Sequence, residues 1–170
     1  MTADDSPGYI GHVRRATVSI LLVVAVAGAA PPASASDRSV KRAWEADDAQ
    51  FAAHGDRVSA RYREWERSGF RKKRPLLREL AATRNTLDGT RAGVRAERAS
   101  SETGEKARYW ALRSMRAFDS QLVSEQSGVR ARSAGKRSRA RRLFGEAAES
   151  AERAARFARR ATRLFRRALS

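Results

Sequence analysis

The last part of the chain repeats small and aromatic side chains at alternating steps of four and three residues. The positions are Ala140, Phe144, Ala147, Ala151, Ala154, Ala158, Ala161, Phe165 and Ala168. Such steps place side chains on one face of an α-helix. The pattern predicts a helix over residues 138 to 169, with a seam of alanine methyl groups that lets another helix approach closely. We expect aromatic side chains of the first predicted helix to fill the space beside this seam.

The first predicted helix covers residues 36 to 69. Its large side chains recur every seven residues, at Trp44, Phe51, Val58 and Trp65. This spacing favours a buried seam against other helices over a ligand-stacking surface. Ser36 or Asp37 is expected to cap the start of the helix, and Ser68-Gly69 to end it. Gly55 is expected to loosen or kink it, because glycine disfavours helix.

The second predicted helix follows four consecutive cations, residues 71 to 74, which are interpreted as the loop that joins helices one and two. Pro75 then suits the first helical position, and an apolar stripe follows at Leu76, Leu77, Leu80, Leu87 and Val94. A break is expected over residues 100 to 104, with Ser101 or Thr103 as the next cap. The alternative is one long bent helix, because Leu80, Leu87, Val94, Met115 and Leu122 share one seven-residue phase.

The third predicted helix covers about residues 104 to 125 and ends between Ser124 and Gly128. Together these segments predict an all-α protein in one domain, residues 36 to 170, after an N-terminal signal peptide. The expected architecture is an antiparallel helical bundle of about four helices, or three long ones, with elongated coiled-coil-like hairpins as a variant.

The N-terminal part contains an apolar run from Ala16 to Ala30, preceded by Arg14-Arg15 and followed by Pro31-Pro32 and Ala33-Ser34-Ala35. This is the pattern of a secretory signal peptide, residues 1 to 35, with cleavage between Ala35 and Ser36. It predicts a protein that is secreted or located in the cell envelope. The alternative is an uncleaved membrane anchor, for which the run is short: a helix over residues 16 to 30 reaches about 22 Å, against a hydrocarbon core of about 30 Å.

The chain has a net charge of +17. The predicted signal peptide holds two arginines and two aspartates, so its removal leaves this charge unchanged. Such an excess favours contact with polyanions. The candidate polyanion-binding residues come from an acid-free run and from one face of the last helix: Arg130, Arg132, Lys136, Arg137, Arg139, Arg141, Arg142, Arg153, Arg156, Arg160, Arg163 and Arg167. The alternative is a solvated surface, on which Glu149–Arg153 and Glu152–Arg156 form helix-stabilising pairs.

No catalytic, cofactor-binding or metal-binding site is predicted. Residues 36 to 170 contain a single histidine, His54, and the chain has no cysteine. Asp47 shares a face with His54 at a spacing of seven residues, which gives at most a two-ligand corner for a metal. General-base, nucleophilic and metal-assisted catalysis usually need more than these groups supply. We therefore expect a protein that is not an enzyme and that uses no cofactor.

The predicted function is that of a binding or structural component at an anionic cell envelope. The expected partner is an anionic envelope polymer, an anionic lipid surface or an acidic protein. The alternative is a nucleic-acid-binding protein whose cations neutralise phosphates. Export argues against nucleic acid, and so does the expectation that the aromatic side chains lie on core stripes instead of between the arginines.

Overall fold

A computed structural model of the protein describes residues 35 to 170, and all regular secondary structure in this part is helical. The elements are α1 (Ala35–Glu45), α2 (Asp48–Arg67), α3 (Lys73–Ala96), α4 (Glu102–Ser133) and α5 (Arg137–Leu169). The predicted all-α bundle is confirmed. None of these helices combines the length with the apolarity that crossing a membrane requires. The predicted signal peptide lies outside the described residues, apart from Ala35, where α1 begins.

The two longest helices, α4 and α5, form an antiparallel hairpin and make the most extensive contact in the described part. Their turn passes through Gly135, which has a φ of 74°, a region that glycine adopts without a steric cost. The alanine seam of α5 is buried at Ala147, Ala151, Ala154 and Ala161. It packs mainly on α4, where the Ser114 hydroxyl donates a 3.0 Å hydrogen bond to the Ala154 carbonyl.

Aromatic side chains before residue 69 reach this seam at two places. Trp65 lies 6.4 Å from Phe144, measured between ring centroids, and Trp44 and Phe51 line a cleft that also includes Ala158. The prediction that these aromatic side chains lie beside the seam is therefore confirmed at these two places, whereas most of the space beside the seam is taken by α4. Small side chains of α4, such as Ala107 and Ala111, bring its backbone close enough to occupy that space.

The predicted helix over residues 36 to 69 is interrupted. It ends at Glu45, turns through Ala46-Asp47 and resumes at Asp48. The Asp47 carboxylate accepts a 2.5 Å hydrogen bond from the Thr90 hydroxyl, so the break is tied to α3. The helix is not interrupted at Gly55, through which α2 runs continuously.

The sequence predicted Ser36 or Asp37 as the cap of the first helix. Asp37 does not have this role, because it lies in the first turn of α1 and its carboxylate faces the start of α4. Its buried carboxylate accepts hydrogen bonds from the backbone N–H groups of Ser100 and Ser101, at 2.8 and 3.3 Å, and from the Ser101 hydroxyl at 2.7 Å. Burial would raise the pKa of Asp37, but these hydrogen bonds outweigh it and lower the pKa. The carboxylate thus joins the start of α1 to the start of α4.

The predicted break before α4 is confirmed, and Ser101 is its N-cap, accepting a 2.9 Å hydrogen bond from the Gly104 N–H. Pro75 is the third residue of α3 and not the first; proline is tolerated there because the N–H groups of the first turn have no partner within the helix. The predicted end of α4 between Ser124 and Gly128 is wrong, since the helix continues to Ser133.

Gly128 serves close packing instead of helix termination. A Cβ atom at this position would lie 2.9 Å from Cε1 of Phe144, closer than carbon atoms pack. We expect Gly128→Ala to lower the free energy of unfolding by about 1–3 kcal/mol through overpacking. Gly89 is the matched control, because a Cβ there has no atom within 4 Å.

Gly89→Ala is expected to raise the free energy of unfolding by up to about 1 kcal/mol, since alanine favours helix more than glycine does. Urea unfolding followed by circular dichroism measures both variants. An equal change in the two variants would contradict the contact between Gly128 and Phe144.

Candidate polyanion-binding surfaces

Two loops lie at the same end of the bundle: the loop between α2 and α3, and the turn between α4 and α5. Trp65 joins them, because its Nε1–H donates 3.0 Å hydrogen bonds to the Phe70 carbonyl and to the Ser133 hydroxyl. The Arg132 guanidinium also lies 4.1 Å from the centre of the Phe70 ring. These contacts bring residues 71 to 74 beside the acid-free run that begins at residue 130. The prediction that all four of these cations form a loop is wrong, because α3 already begins at Lys73.

We call this cluster the basic end. It consists of Arg71, Lys72, Lys73, Arg74, Arg130, Arg132, Lys136, Arg137 and Arg139. All of its members are exposed except Lys73 and Arg132, which are half-buried. Sequence reasoning treated residues 71 to 74 only as a loop and missed their place in this cluster. The sequence feature that could have revealed it is the charge of residues 71 to 74, which include no acidic residue, like the run that begins at residue 130.

Phe70 shapes the basic end. It has a φ of 66°, in the left-handed region, and follows Gly69 at a φ of 61°. This turn places the Phe70 ring 5.0 Å from the Trp65 ring, measured between centroids, and against the Arg132 guanidinium. A guanidinium stacked on an aromatic face keeps its N–H edges available. Those edges match the oxygens of a phosphate or a carboxylate, to which they bind in pairs.

The other candidate cations are exposed on α5, and one of them, Arg160, contacts an aromatic ring of α4. The Arg160 guanidinium is 4.1 Å from the centre of the Trp110 ring, and that of Arg113 is 4.9 Å from the Phe157 ring. Arg113 also donates a 3.0 Å hydrogen bond to the hydroxyl of Tyr109, which is 53% exposed. The expectation that aromatic side chains stay apart from the arginines is wrong at this surface.

We call this second cluster the arginine–aromatic surface. It consists of Tyr109, Trp110, Arg113, Arg153, Arg156, Phe157, Arg160, Arg163 and Arg167. The sequence contained one signal for it, because Arg113 follows Tyr109 by four residues and Trp110 by three, the spacings at which side chains meet on a helix.

An acidic interval separates the two clusters along α5. Residues 143 to 152 contain Glu146, Glu149 and Glu152 and no basic residue. Arg142 pairs with Glu146, and the predicted pair of Glu149 and Arg153 forms at 3.9 Å. Arg141 and Arg142 are exposed and lie between the basic end and this interval. Apart from Arg141 and Arg142, the candidate cations are thus divided into two surfaces and do not form one continuous stripe.

His54 belongs to a polar cluster between α2 and α3. Its Nδ1 lies 2.6 Å from Oε1 of Glu79, its Nε2 lies 3.1 Å from the Thr86 hydroxyl, and Arg57 donates a 2.8 Å hydrogen bond to Glu79. Burial would raise the pKa of Glu79, but the hydrogen bonds from His54 and Arg57 outweigh it and lower the pKa.

The order of hydroxyl, imidazole and carboxylate in this cluster matches that of a hydrolase triad. Thr86 lies inside α3, however, where the backbone N–H groups bond within the helix and cannot form an oxyanion hole. The predicted corner of Asp47 and His54 is not formed, since Asp47 bonds Thr90. Within residues 35 to 170 there is no group of three side chains suited to hold a metal ion. The cluster clamps α2 to α3.

Glu125 is a buried carboxyl in α4, 1% exposed. It accepts a 3.2 Å hydrogen bond from the Tyr62 hydroxyl and a 2.8 Å hydrogen bond from Nε2 of Gln121. Burial raises the pKa of Glu125 and outweighs both hydrogen bonds. The native state therefore holds this proton more tightly than the unfolded state. The free energy of unfolding therefore falls as the pH rises from the pKa of Glu125 in the unfolded state toward its pKa in the native state, by up to about 1.4 kcal/mol per pH unit.

Glu125→Gln keeps the shape of the side chain and removes the titration. The amide oxygen of the new side chain can keep the hydrogen bond from Nε2 of Gln121, and its NH2 group takes the place of the carboxyl oxygen that faces the Tyr62 hydroxyl, whose oxygen can accept a hydrogen bond from it. We expect the variant to be more stable than the wild type at about pH 8, and the difference to shrink toward about pH 4. Urea unfolding across this range measures it. A difference that does not change with pH would contradict the raised pKa of Glu125.

Comparison with known protein families, with curated proteins and with solved structures finds no significant match for this chain.

Proposed function

We propose that this chain is an exported helical protein, without catalytic activity, that binds anionic components of the cell envelope through its cationic surfaces. One observation carries the proposal: two runs of cations, distant in sequence and free of acidic residues, lie together at one end of the bundle. Assembling so many like charges at one place costs free energy through repulsion. An anionic partner would relieve that repulsion. Most of these side chains are exposed and can therefore contact such a partner.

The N-terminal sequence pattern supports the proposed location beyond the membrane. A signal peptide over residues 1 to 35 leads the chain across the membrane. If the run from Ala16 to Ala30 is instead retained as an anchor, Arg14-Arg15 favours the cytoplasmic side for the residues before it. Both alternatives place residues 36 to 170 beyond the membrane. There the abundant polyanions are acidic polymers and lipid headgroups, and acidic proteins are further partners.

Nucleic acid is the second candidate, and the arginine–aromatic surface favours it. Proteins that bind single strands combine cations with aromatic rings on which bases stack. Tyr109 and Trp110, beside Arg113 and Arg160, offer this combination. Export argues against nucleic acid, and intracellular protein that still carries residues 1 to 35 would argue for it.

Sedimentation with membranes and polymers tests the proposal. We expect the purified protein to sediment with phosphatidylglycerol vesicles or with isolated wall fragments at low ionic strength, and not with phosphatidylcholine vesicles. Failure to bind both anionic materials would reject the proposed function. Binding to single-stranded nucleic acid alone would replace it with the second candidate.

A further inference from the structure

We propose that the protein is bivalent: the basic end and the arginine–aromatic surface each bind an anionic phospholipid surface, so that one molecule links two membranes. This inference rests on the proposed binding of anionic envelope components. It adds that the cations act as two independent sites, which a net charge alone does not imply.

The separation of the two surfaces is the first argument. The basic end surrounds the turn between α4 and α5, whereas Trp110 and Arg160 lie toward the other end of the same hairpin. From Arg139 to Arg153, the nearest members of the two surfaces on α5, the distance along the helix is about 21 Å. The Debye length at physiological ionic strength is about 8 Å. A ligand at one surface therefore has little electrostatic effect on the other.

The acidic interval is the second argument. Glu149 and Glu152 are exposed, and Glu146 is half-buried, between the two surfaces on α5. A polyanion that lay along the whole of α5 would have to pass these carboxylates at close range. Like charges at such distances repel. The charge pattern therefore favours two discrete contacts over one continuous track for a linear polymer.

The local structure of the two surfaces indicates which chemical group of the partner they bind. Each contains a guanidinium stacked on a ring at 4.1 Å: Arg132 on Phe70, and Arg160 on Trp110. This stacking orients the guanidinium plane and suits paired hydrogen bonds to phosphate oxygens.

The rings of Tyr109 and Trp110 favour a lipid source for the phosphate. Tyr109 is exposed and Trp110 is half-buried. Rings with a polar edge settle at the level of lipid headgroups, and each nearby cation strengthens the attraction to an anionic leaflet.

Vesicle clustering separates bivalence from simple binding. Two populations of phosphatidylglycerol vesicles, one with a donor lipid and one with an acceptor lipid, report clustering by energy transfer, while sedimentation reports binding. One variant removes three cations of the basic end, by Arg71→Gln, Lys72→Gln and Arg74→Gln. A second removes three of the arginine–aromatic surface, by Arg156→Gln, Arg160→Gln and Arg163→Gln. A control removes three exposed arginines elsewhere, by Arg42→Gln, Arg95→Gln and Arg98→Gln.

We expect the wild type and the control to cluster vesicles. Each surface variant should still sediment with vesicles, with an affinity within a few-fold of the wild type, but should lose clustering, and mixing the two variants should not restore it. Clustering by either surface variant at the wild-type level would overturn the inference, because one surface would then suffice. Wild-type protein that binds vesicles without clustering them also overturns it and leaves the proposed function standing. Protein that binds only wall fragments or nucleic acid overturns the lipid assignment, and protein that binds neither vesicles nor wall fragments rejects the proposed function as well.

Discussion

Removing the cations of both surfaces together is expected to lower the affinity for phosphatidylglycerol vesicles by about 100-fold or more. The six changes are Arg71→Gln, Lys72→Gln, Arg74→Gln, Arg156→Gln, Arg160→Gln and Arg163→Gln. Each cation near an anionic leaflet contributes about 1 kcal/mol, so a surface that loses three of them loses about 3 kcal/mol of binding free energy. Vesicle sedimentation measures the affinity, and circular dichroism checks that the helices are retained.

The control for this variant removes the same number of charges from other exposed positions. Its changes are Arg38→Gln, Arg42→Gln, Arg61→Gln, Arg63→Gln, Arg95→Gln and Arg98→Gln. The two variants have equal net charge and differ only in where the cations lie. We expect the control to bind within about tenfold of the wild type, since distant charges are screened. Equal losses in the two variants would show that net charge, and not the two surfaces, determines binding.

Trp65→Ala is expected to lower the free energy of unfolding by about 3–5 kcal/mol, a large share of the usual stability of a domain. Trp65 is 1% exposed, and its ring contacts Tyr62, Phe70 and Phe144 at centroid distances of 5.9, 5.0 and 6.4 Å. The substitution leaves a cavity where α2, α4 and α5 meet. It also removes the hydrogen bonds to the Phe70 carbonyl and the Ser133 hydroxyl.

Trp110→Ala is the matched control for this substitution, since Trp110 is half-buried and one face of its ring meets Arg160. We expect it to cost about 1–2 kcal/mol, because less surface is buried and an exposed cation–π contact contributes little. Urea unfolding measures both variants. A loss for Trp65→Ala no greater than that for Trp110→Ala would contradict the central position of Trp65.

The parts of the fold that the sequence predicts well depend on local patterns. The last helix is predicted over residues 138 to 169 and found at Arg137–Leu169, because its steps of three and four continue without a break. The Ser101 cap is likewise a local feature, set by a hydroxyl three residues before an N–H group that lacks a helical partner.

The errors arise where tertiary contacts override local signals. Trp44 and Phe51 keep their spacing of seven across the interruption at Ala46-Asp47, so periodicity cannot reveal it. Glycine is typical of a helix end, yet Gly128 lies inside α4, where its lack of a side chain leaves room for the Phe144 ring. Asp37 has the position of a cap, yet it bonds a segment more than sixty residues later.

At the candidate binding surfaces, too, the sequence shows the local features but not the contacts between distant segments. Each cation of residues 130 to 142 is visible in the sequence, and so is the arginine face of the last helix. Their association with residues 71 to 74 depends on the topology, which places two loops at one end of the bundle. The stacking of Arg160 on Trp110 depends on the register between α4 and α5. Helical periodicity within a single segment contains neither relation.

The affinity of the purified protein for phosphatidylglycerol vesicles, measured between about 50 and about 200 mM salt, tests whether the cations bind an anionic surface. We expect tight binding at the lower concentration and a steep fall as salt rises, with no binding to phosphatidylcholine vesicles at either. An affinity that is insensitive to salt, or equal for the two lipids, would contradict a function based on the basic end and the arginine–aromatic surface.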